Sequence, residues 1–263
     1  LHFETPAWRS LWDEMAKVVR FWIGHGVKIF RVDNPHTKPL PFWKRLIESI
    51  QRDHPDVVFL AEAFTRPKMM RALAKAGFSQ SYTYFTWRNE KQEIIDYLTE
   101  LTQSEMKEYY RGNFFANTPD ILPFFLQKGG RPAFRIRAVL ASTLSSTYGI
   151  YNGFELCENR ALPGREEYLD SEKYEYKVWD WDRPGHIKGL ITLLNHARRE
   201  HPALQEYDNL RFHASDHEDI LVYSKATPKR DNAVLVVVNL NPHEVRESLV
   251  HVNPWDLGKS DGD

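Results

Sequence analysis

The sequence predicts an α/β fold, a parallel-stranded barrel segment followed by an antiparallel β module. Three observations carry this. Short runs of Val, Ile, Phe and Leu alternate with amphipathic helical stretches up to about Arg199, which implies βαβ units and a parallel sheet. Past Pro202, the runs "LRFHA", "DILVYSKA" and "NAVLVVVNL" follow one another with no helix between them, the pattern of an antiparallel sheet. Finally, carboxylates stand at the ends of several strand-like runs, where barrel enzymes build their sites. No glycine-rich dinucleotide fingerprint follows any strand, which disfavours a doubly wound sheet.

Each element has its own reason. Leu11, Met15, Val18, Val19 and Trp22 recur at helical spacing between Trp8 and His25, and Gly24 and Gly26 break the run. Val27 to Val32 is the first strand. "PFWKRLIESIQ" from Pro41 is a helix with Pro in its first turn and Phe42, Leu46 and Ile50 on one face. Val57 to Ala61 is the second strand, and "PKMMRALAKAG" from Pro67 is a helix closed by Gly77. Ser81 to Phe85 is the third strand, Lys91 to Leu101 a helix, and Phe114 to Ala116 a short strand. Arg135 to Leu144 is helical, "STYGIYNG" is a fifth strand and turn, and His186 to Arg199 is the last amphipathic helix. The expected domains are residues 1–204 and 205–263.

Composition removes several function classes. The formal net charge is -1, so no nucleic-acid or anionic-membrane field is indicated. Cys157 is the single cysteine; no internal disulfide is possible, and a reducing, cytoplasmic compartment fits. No apolar run reaches the ~18 residues that span a bilayer. The 11 histidines fall in no metal-type spacing, so no catalytic metal and no cofactor is expected. Aromatic residues make up 13% of the chain, which suits both a sugar-binding cleft and a large core. The chain opens without Met and closes on the polar "DLGKSDGD", and is expected to be a fragment.

Three acidic segments carry the chemistry: "KIFRVDNP" with Asp33, "VVFLAEAF" with Glu62 and "FFANTPDIL" with Asp120. Retaining glycosyl transfer needs a nucleophilic carboxylate and a second carboxyl that gives and then takes a proton. A third acid can oppose positive charge in the oxocarbenium-like transition state. The apolar neighbours of Glu62 favour its protonated form. Each acid also has a structural reading. Asp33, before Asn34 and Pro35, suits a turn. Glu62 can pair with Arg66. Asp120 can cap a helix begun by "ILPFFLQ".

The segments "FRVDNPHTKP", "FLAEAFTRP" and "NTPDILP" resemble the catalytic motifs of the α-amylase superfamily (glycoside hydrolase family thirteen). They are most similar to its bacterial α-1,4-glucan:maltose-1-phosphate maltosyltransferase branch. Ordinary amylases carry Asn-His-Asp in the last motif; Asn117, Thr118, Pro119 and Asp120 stand here instead. The resemblance implies the last five strands or so of a TIM-type (β/α)8 barrel, then the start of a β-sandwich. It implies Asp33 as nucleophile, Glu62 as general acid/base and Asp120 as transition-state stabiliser. Arg31 would orient the nucleophile and Asn34 would contact the donor. Lys173 and Tyr174, in "SEKYEYK", would meet the α-maltose 1-phosphate donor, with an α-1,4-glucan or malto-oligosaccharide as acceptor and a homodimeric parent enzyme. His36 and Lys38 follow Asp33 closely enough to reach the cleft, although His36 also fits a structural role. The rival readings are another retaining α-glucan hydrolase or phosphorylase of the superfamily, and a non-catalytic glucan-binding relative.

Overall fold

The structure is a computed structural model that describes residues 2–258. The chain forms two compact units: residues Leu1–Thr83 with Glu105–Gly112, and Tyr84–Ser104 with Asn113–Asp263.

The first unit runs α1 (Trp8–Gly24), β1 (Ile29–Asp33), α2 (Leu40–Asp53), β2 (Val58–Glu62), α3 (Pro67–Lys75) and β3 (Gln80–Tyr82). The three strands are parallel and pair in sequence order. Leu11, Met15 and Val19 of α1 face the core, as their spacing predicts, and Gly26 leaves the helix at φ 91°. Pro39 and Pro41 preset the entry into α2, which buries Phe42, Trp43, Leu46, Ile47 and Ile50 against Phe59, Ala61 and Leu73. Both acid-bearing strands sit slightly further along the chain than expected, so Asp33 and Glu62 are the last residues of their strands rather than the residues after them.

Gly77 ends the turn after α3 at φ 113°, and a Cβ there would stand 2.8 Å from Cγ2 of Ile47. Gly77→Ala therefore combines a left-handed backbone with a core clash. It is expected to cost roughly 1–3 kcal/mol, read as a lower urea midpoint of the full-length protein with an unchanged m-value.

The third strand is shorter than expected. After Tyr82 the chain enters a 3-10 turn, Tyr84–Trp87, which belongs to the second unit. Phe85 is buried there by stacking on Phe114, with ring centroids 4.4 Å apart, and the Thr86 hydroxyl donates to the Phe115 carbonyl. The apolar run is satisfied by packing in a turn, so it needs no further strand pairing.

The second unit continues with α4 (Lys91–Gln103), β4 (Gly112–Phe115), α5 (Phe124–Leu144), β5 (Thr147–Gly149) and α6 (Lys188–Glu200). Strands β4 and β5 are parallel, with Phe115 opposite Gly149. Helix α5 begins well before the expected Arg135. It follows Pro123 and passes a non-helical residue, Gly130 (φ 52°, ψ −152°), just ahead of Pro132. Arg137 on α5 is fully buried, lies over the Phe85 ring and donates to the carbonyls of Phe85 and Arg88. It thereby fixes the Tyr84–Trp87 turn. The antiparallel sheet comprises β6 (Leu210–Ser215), β7 (Ile220–Ala226), β8 (Ala233–Asn239) and β9 (Val250–His251), in the order β8-β7-β6-β9. Among the described residues, no helix is long and apolar enough to cross a membrane.

Candidate active site

The register of β1 on β2 creates the first half of the site. Its last rung pairs Asp33 with Glu62, and neighbouring strands run about 4.8 Å apart. The two acids thus end adjacent strands at the same level. Arg31 lies on the same face as Asp33, two residues back. Its guanidinium donates to Oδ1 of Asp33 at 3.0 Å and stands 3.3 Å from Oε1 of Glu62. One cation therefore serves both carboxyls. The ion pair of Glu62 is thus with Arg31 and not with Arg66, the structural alternative that the sequence allowed.

The two acids differ in environment. The Asp33 side chain is 66% exposed and that of Glu62 only 5%. Burial pushes the Glu62 carboxyl above its ordinary value, and the negative Asp33 adds to this. Arg31 and the Asn34 N–H act in the opposite sense but do not win. Arg31 remains charged: burial opposes its charge, but Tyr82, Glu62 and Asp33 outweigh it.

Asn34 adopts a left-handed conformation, φ 43° and ψ 51°, which Asn tolerates better than most residues. That turns its N–H toward Oε2 of Glu62, at 3.3 Å. The 3-10 turn Pro35–Thr37 follows, pinned by the Trp43 indole donating to the Pro35 carbonyl at 2.8 Å. Asp33 is therefore a strand-end residue held by Arg31, not merely a turn former. In this turn, Nδ1 of His36 is buried with no hydrogen-bond partner, while Lys38 lies over the Phe3 ring.

Tyr82 had no role in the sequence reading. It ends β3, lies 5.8 Å from the Arg31 guanidinium, and hydrogen-bonds with Arg31. A tyrosine closing the next strand after two acid-bearing strands was the available signal.

Asp120, Lys173 and Tyr174 belong to the second unit. Asp120 occupies a tight turn closed by the bridge between Thr118 and Ile121, and its N–H donates to the Thr118 hydroxyl. Helix α5 starts later, with Pro123 at its N-cap, so Asp120 caps no helix. The Lys173 ammonium bonds directly to Oδ1 of Asp120. That bond and the charge of Asp120 push the Lys173 pKa up. Tyr174 is exposed and stacks beneath the same ammonium, 5.5 Å away. Together they line a cleft of about 440 Å³ with Pro119, Tyr168 and Ser171.

Asn117, quoted above only as part of a motif, is fully buried. It donates to the Tyr168 hydroxyl at 2.6 Å and accepts from the Tyr151 N–H at 2.8 Å. It anchors the turn that carries Asp120. Among the described residues, no group of three or more His, Cys, Asp or Glu side chains is placed to hold a metal ion.

A family model described as "GLGE, C-terminal" matches residues 212–263. An α-1,4-glucan:maltose-1-phosphate maltosyltransferase of Cereibacter sphaeroides is 53% identical over 261 residues, covering 99% of this chain and 39% of the relative. The enzyme of that name from Rhodospirillum rubrum is 56% identical, covering 100% and 38%. The first such enzyme of Streptomyces coelicolor is 58% identical, covering 95% and 37%. The chain thus spans about two fifths of the length of the curated relatives it matches. Among solved structures, an α-amylase of Geobacillus thermoleovorans in complex with acarbose matches at a TM-score of 0.74. Its identity is 15%, over 92% of this chain and 54% of that one. An α-amylase from H. orenii matches at a TM-score of 0.70. These likenesses show the partial α-amylase barrel with its following β-sheet. By sequence, the chain is similar over nearly its whole length to enzymes named α-1,4-glucan:maltose-1-phosphate maltosyltransferase, and its likeness to the α-amylases is one of fold.

Proposed function

We propose that these residues belong to an enzyme that transfers maltosyl units from α-maltose 1-phosphate to the non-reducing end of α-1,4-glucans. Transfer retains configuration, releases phosphate, and passes through a covalent maltosyl-enzyme. The names of the relatives supply donor and acceptor. The observation that carries the chemistry is the Asp33–Glu62 rung, with Arg31 across both acids. The strand spacing suits the ~5–5.5 Å carboxyl separation of retaining enzymes.

In the first half-reaction, Asp33 attacks the anomeric carbon while Glu62 protonates the departing phosphate oxygen. In the second, Glu62 takes a proton from the acceptor hydroxyl, which displaces Asp33. The open Asp33 suits a nucleophile, and the enclosed Glu62, whose pKa burial raises, suits an acid. Asp120 opposes charge in the transition state. Asn34 contacts the donor, and Lys173 with Tyr174 meets it near the phosphate. The catalytic portion is residues 1–204, and residues 205–263 begin the sandwich domain. The family resemblance further supports a cytoplasmic homodimer, which light scattering on the full-length protein would test.

The direct test is phosphate release from α-maltose 1-phosphate by the full-length protein, with and without glycogen. Acceptor-dependent phosphate release is expected. Maltose release without acceptor would point to a hydrolase, and no turnover to a non-catalytic relative.

Lys173→Ala separates donor contact from a loop role. A charge-assisted hydrogen bond is worth about 1.5–3 kcal/mol, but the Lys173 side chain is 42% exposed, and solvent screening reduces its share. The loss of affinity for α-maltose 1-phosphate should therefore be about tenfold, with little change for α-maltosyl fluoride. Equal losses on both donors would remove Lys173 from the phosphate.

A further inference from the structure

The Asp120 turn and the loop carrying Lys173 are joined by a closed ring of contacts, and its carboxylate Glu172 has no part in the chemistry above. Glu172 accepts from the Tyr151 hydroxyl at 2.7 Å and from the Trp179 indole N–H at 2.8 Å. The Asn152 amide donates to both of its oxygens at 3.1 Å. The N–H of Tyr151 donates in turn to Asn117. Asn117 precedes Asp120 in the same turn, Asp120 holds Lys173, and Lys173 follows Glu172 in the chain. The ring reads Asn117, Tyr151, Glu172, Lys173, Asp120 and back to Asn117.

Residues 173–176 are exposed and lie in no helix or strand. A lysine ammonium rides on a flexible four-carbon stem, so its reach is set by where its backbone is held. The carboxylate next to it is held by three different side chains. We infer that Glu172 is a positioning residue, fixing the backbone at Lys173 so that the ammonium stands on Asp120. Burial opposes charge on Glu172, but the bonds from Tyr151, Trp179 and Asn152 hold its carboxyl below its usual range. Burial, with the carboxylates of Glu172 and Asp120, pushes the Tyr151 phenol up, so it keeps its donor proton. The geometric inference is independent of the proposed reaction; only its catalytic consequence rests on the role given to Lys173.

The test is competitive acetylation of the full-length protein with acetic anhydride, read by peptide mass spectrometry with Lys44 as internal reference. A lysine paired with a carboxylate reacts slowly, and one pKa unit is about tenfold in free amine. Glu172→Ala should raise Lys173 labelling about two- to tenfold relative to Lys44. Glu172→Gln, which keeps one acceptor oxygen and so can serve Tyr151 or Trp179 but not both in place, should fall between. Trp179→Phe removes one donor and leaves the carboxylate, so it should shift labelling in the same direction by a smaller factor. If Glu172→Ala exposes every lysine by unfolding, the Trp179→Phe result decides. Unchanged Lys173 labelling in the folded variants overturns the inference. For catalysis, Glu172→Ala should add no loss of kcat/KM to that of Lys173→Ala, and multiplying losses would place Glu172 in a separate role. If Lys173→Ala leaves turnover intact, the donor contact fails while the labelling still decides on Glu172.

Discussion

Asp33→Ala in the full-length protein is expected to reduce maltosyl transfer by about four powers of ten or more, the scale on which nucleophile loss is felt. Its neighbour Glu62 is enclosed and engaged by Arg31 and the Asn34 N–H, so it has no freedom to replace the nucleophile. Arg31 has no electron pair to donate. Folding should survive, because the Asp33 side chain is largely exposed. The lost carboxylate leaves Arg31 paired with Glu62. Asp33→Asn, which preserves shape and an acceptor for Arg31, should be equally inactive. A 2-deoxy-2-fluoro-α-maltosyl fluoride should label the peptide bearing Asp33 in the parent and in neither variant. A label on another residue, or turnover near the parent's, would remove Asp33 from the chemistry.

Glu62→Gln should lower turnover of α-maltose 1-phosphate by about 10²–10⁴-fold, the usual worth of a positioned acid/base. A fluoride donor needs little protonation to depart, so it should still load Asp33, and the glycosyl-enzyme should accumulate for want of a base. The absence of a trapped adduct by intact mass would withdraw the role. The pH dependence follows from the raised Glu62 pKa. In the parent, kcat/KM should fall as pH rises past that value and the proton is lost; in Glu62→Gln that limb should flatten. Stability carries the same sign. A carboxyl whose folded pKa lies above its unfolded value stabilises the fold below the unfolded pKa. That contribution is lost as pH rises through the folded pKa. At neutral pH the glutamine variant should therefore melt no lower than the parent, and a marked drop in Tm would contradict the burial argument.

Asp33 and Glu62 were legible in the sequence because their signal is local: an apolar run that stops at a carboxylate. The shared Arg31 was half legible. Its place on the Asp33 face follows from strand alternation, but its reach to Glu62 depends on the register of two strands. Helix α5 was read only from Arg135, since Gly129, Gly130 and Pro132 punctuate its earlier turns. Strand β3 was read too long because stacking of Phe85 on Phe114 mimics a strand's apolar run. The Lys173–Asp120 pair spans 53 residues through an irregular loop, and no periodicity encodes such a contact. Glu172, with exposed residues after it in a charged stretch, reads as solvated until Tyr151, Asn152 and Trp179 are seen around it.

In the reaction proposed above, the single guanidinium across two carboxyls would also time the proton transfers. While Asp33 is ionised, its negative charge helps keep the proton on Glu62, and Arg31 divides its attraction between them. Were Asp33 to become a glycosyl ester as proposed, its negative charge would be gone. The repulsion that favoured protonated Glu62 would vanish, and the whole field of Arg31 would fall on it. Glu62 would become a weaker holder of its proton at the step in which the proposed reaction needs a base. In that reaction, acid and base would alternate on one side chain through a change in its neighbour's charge.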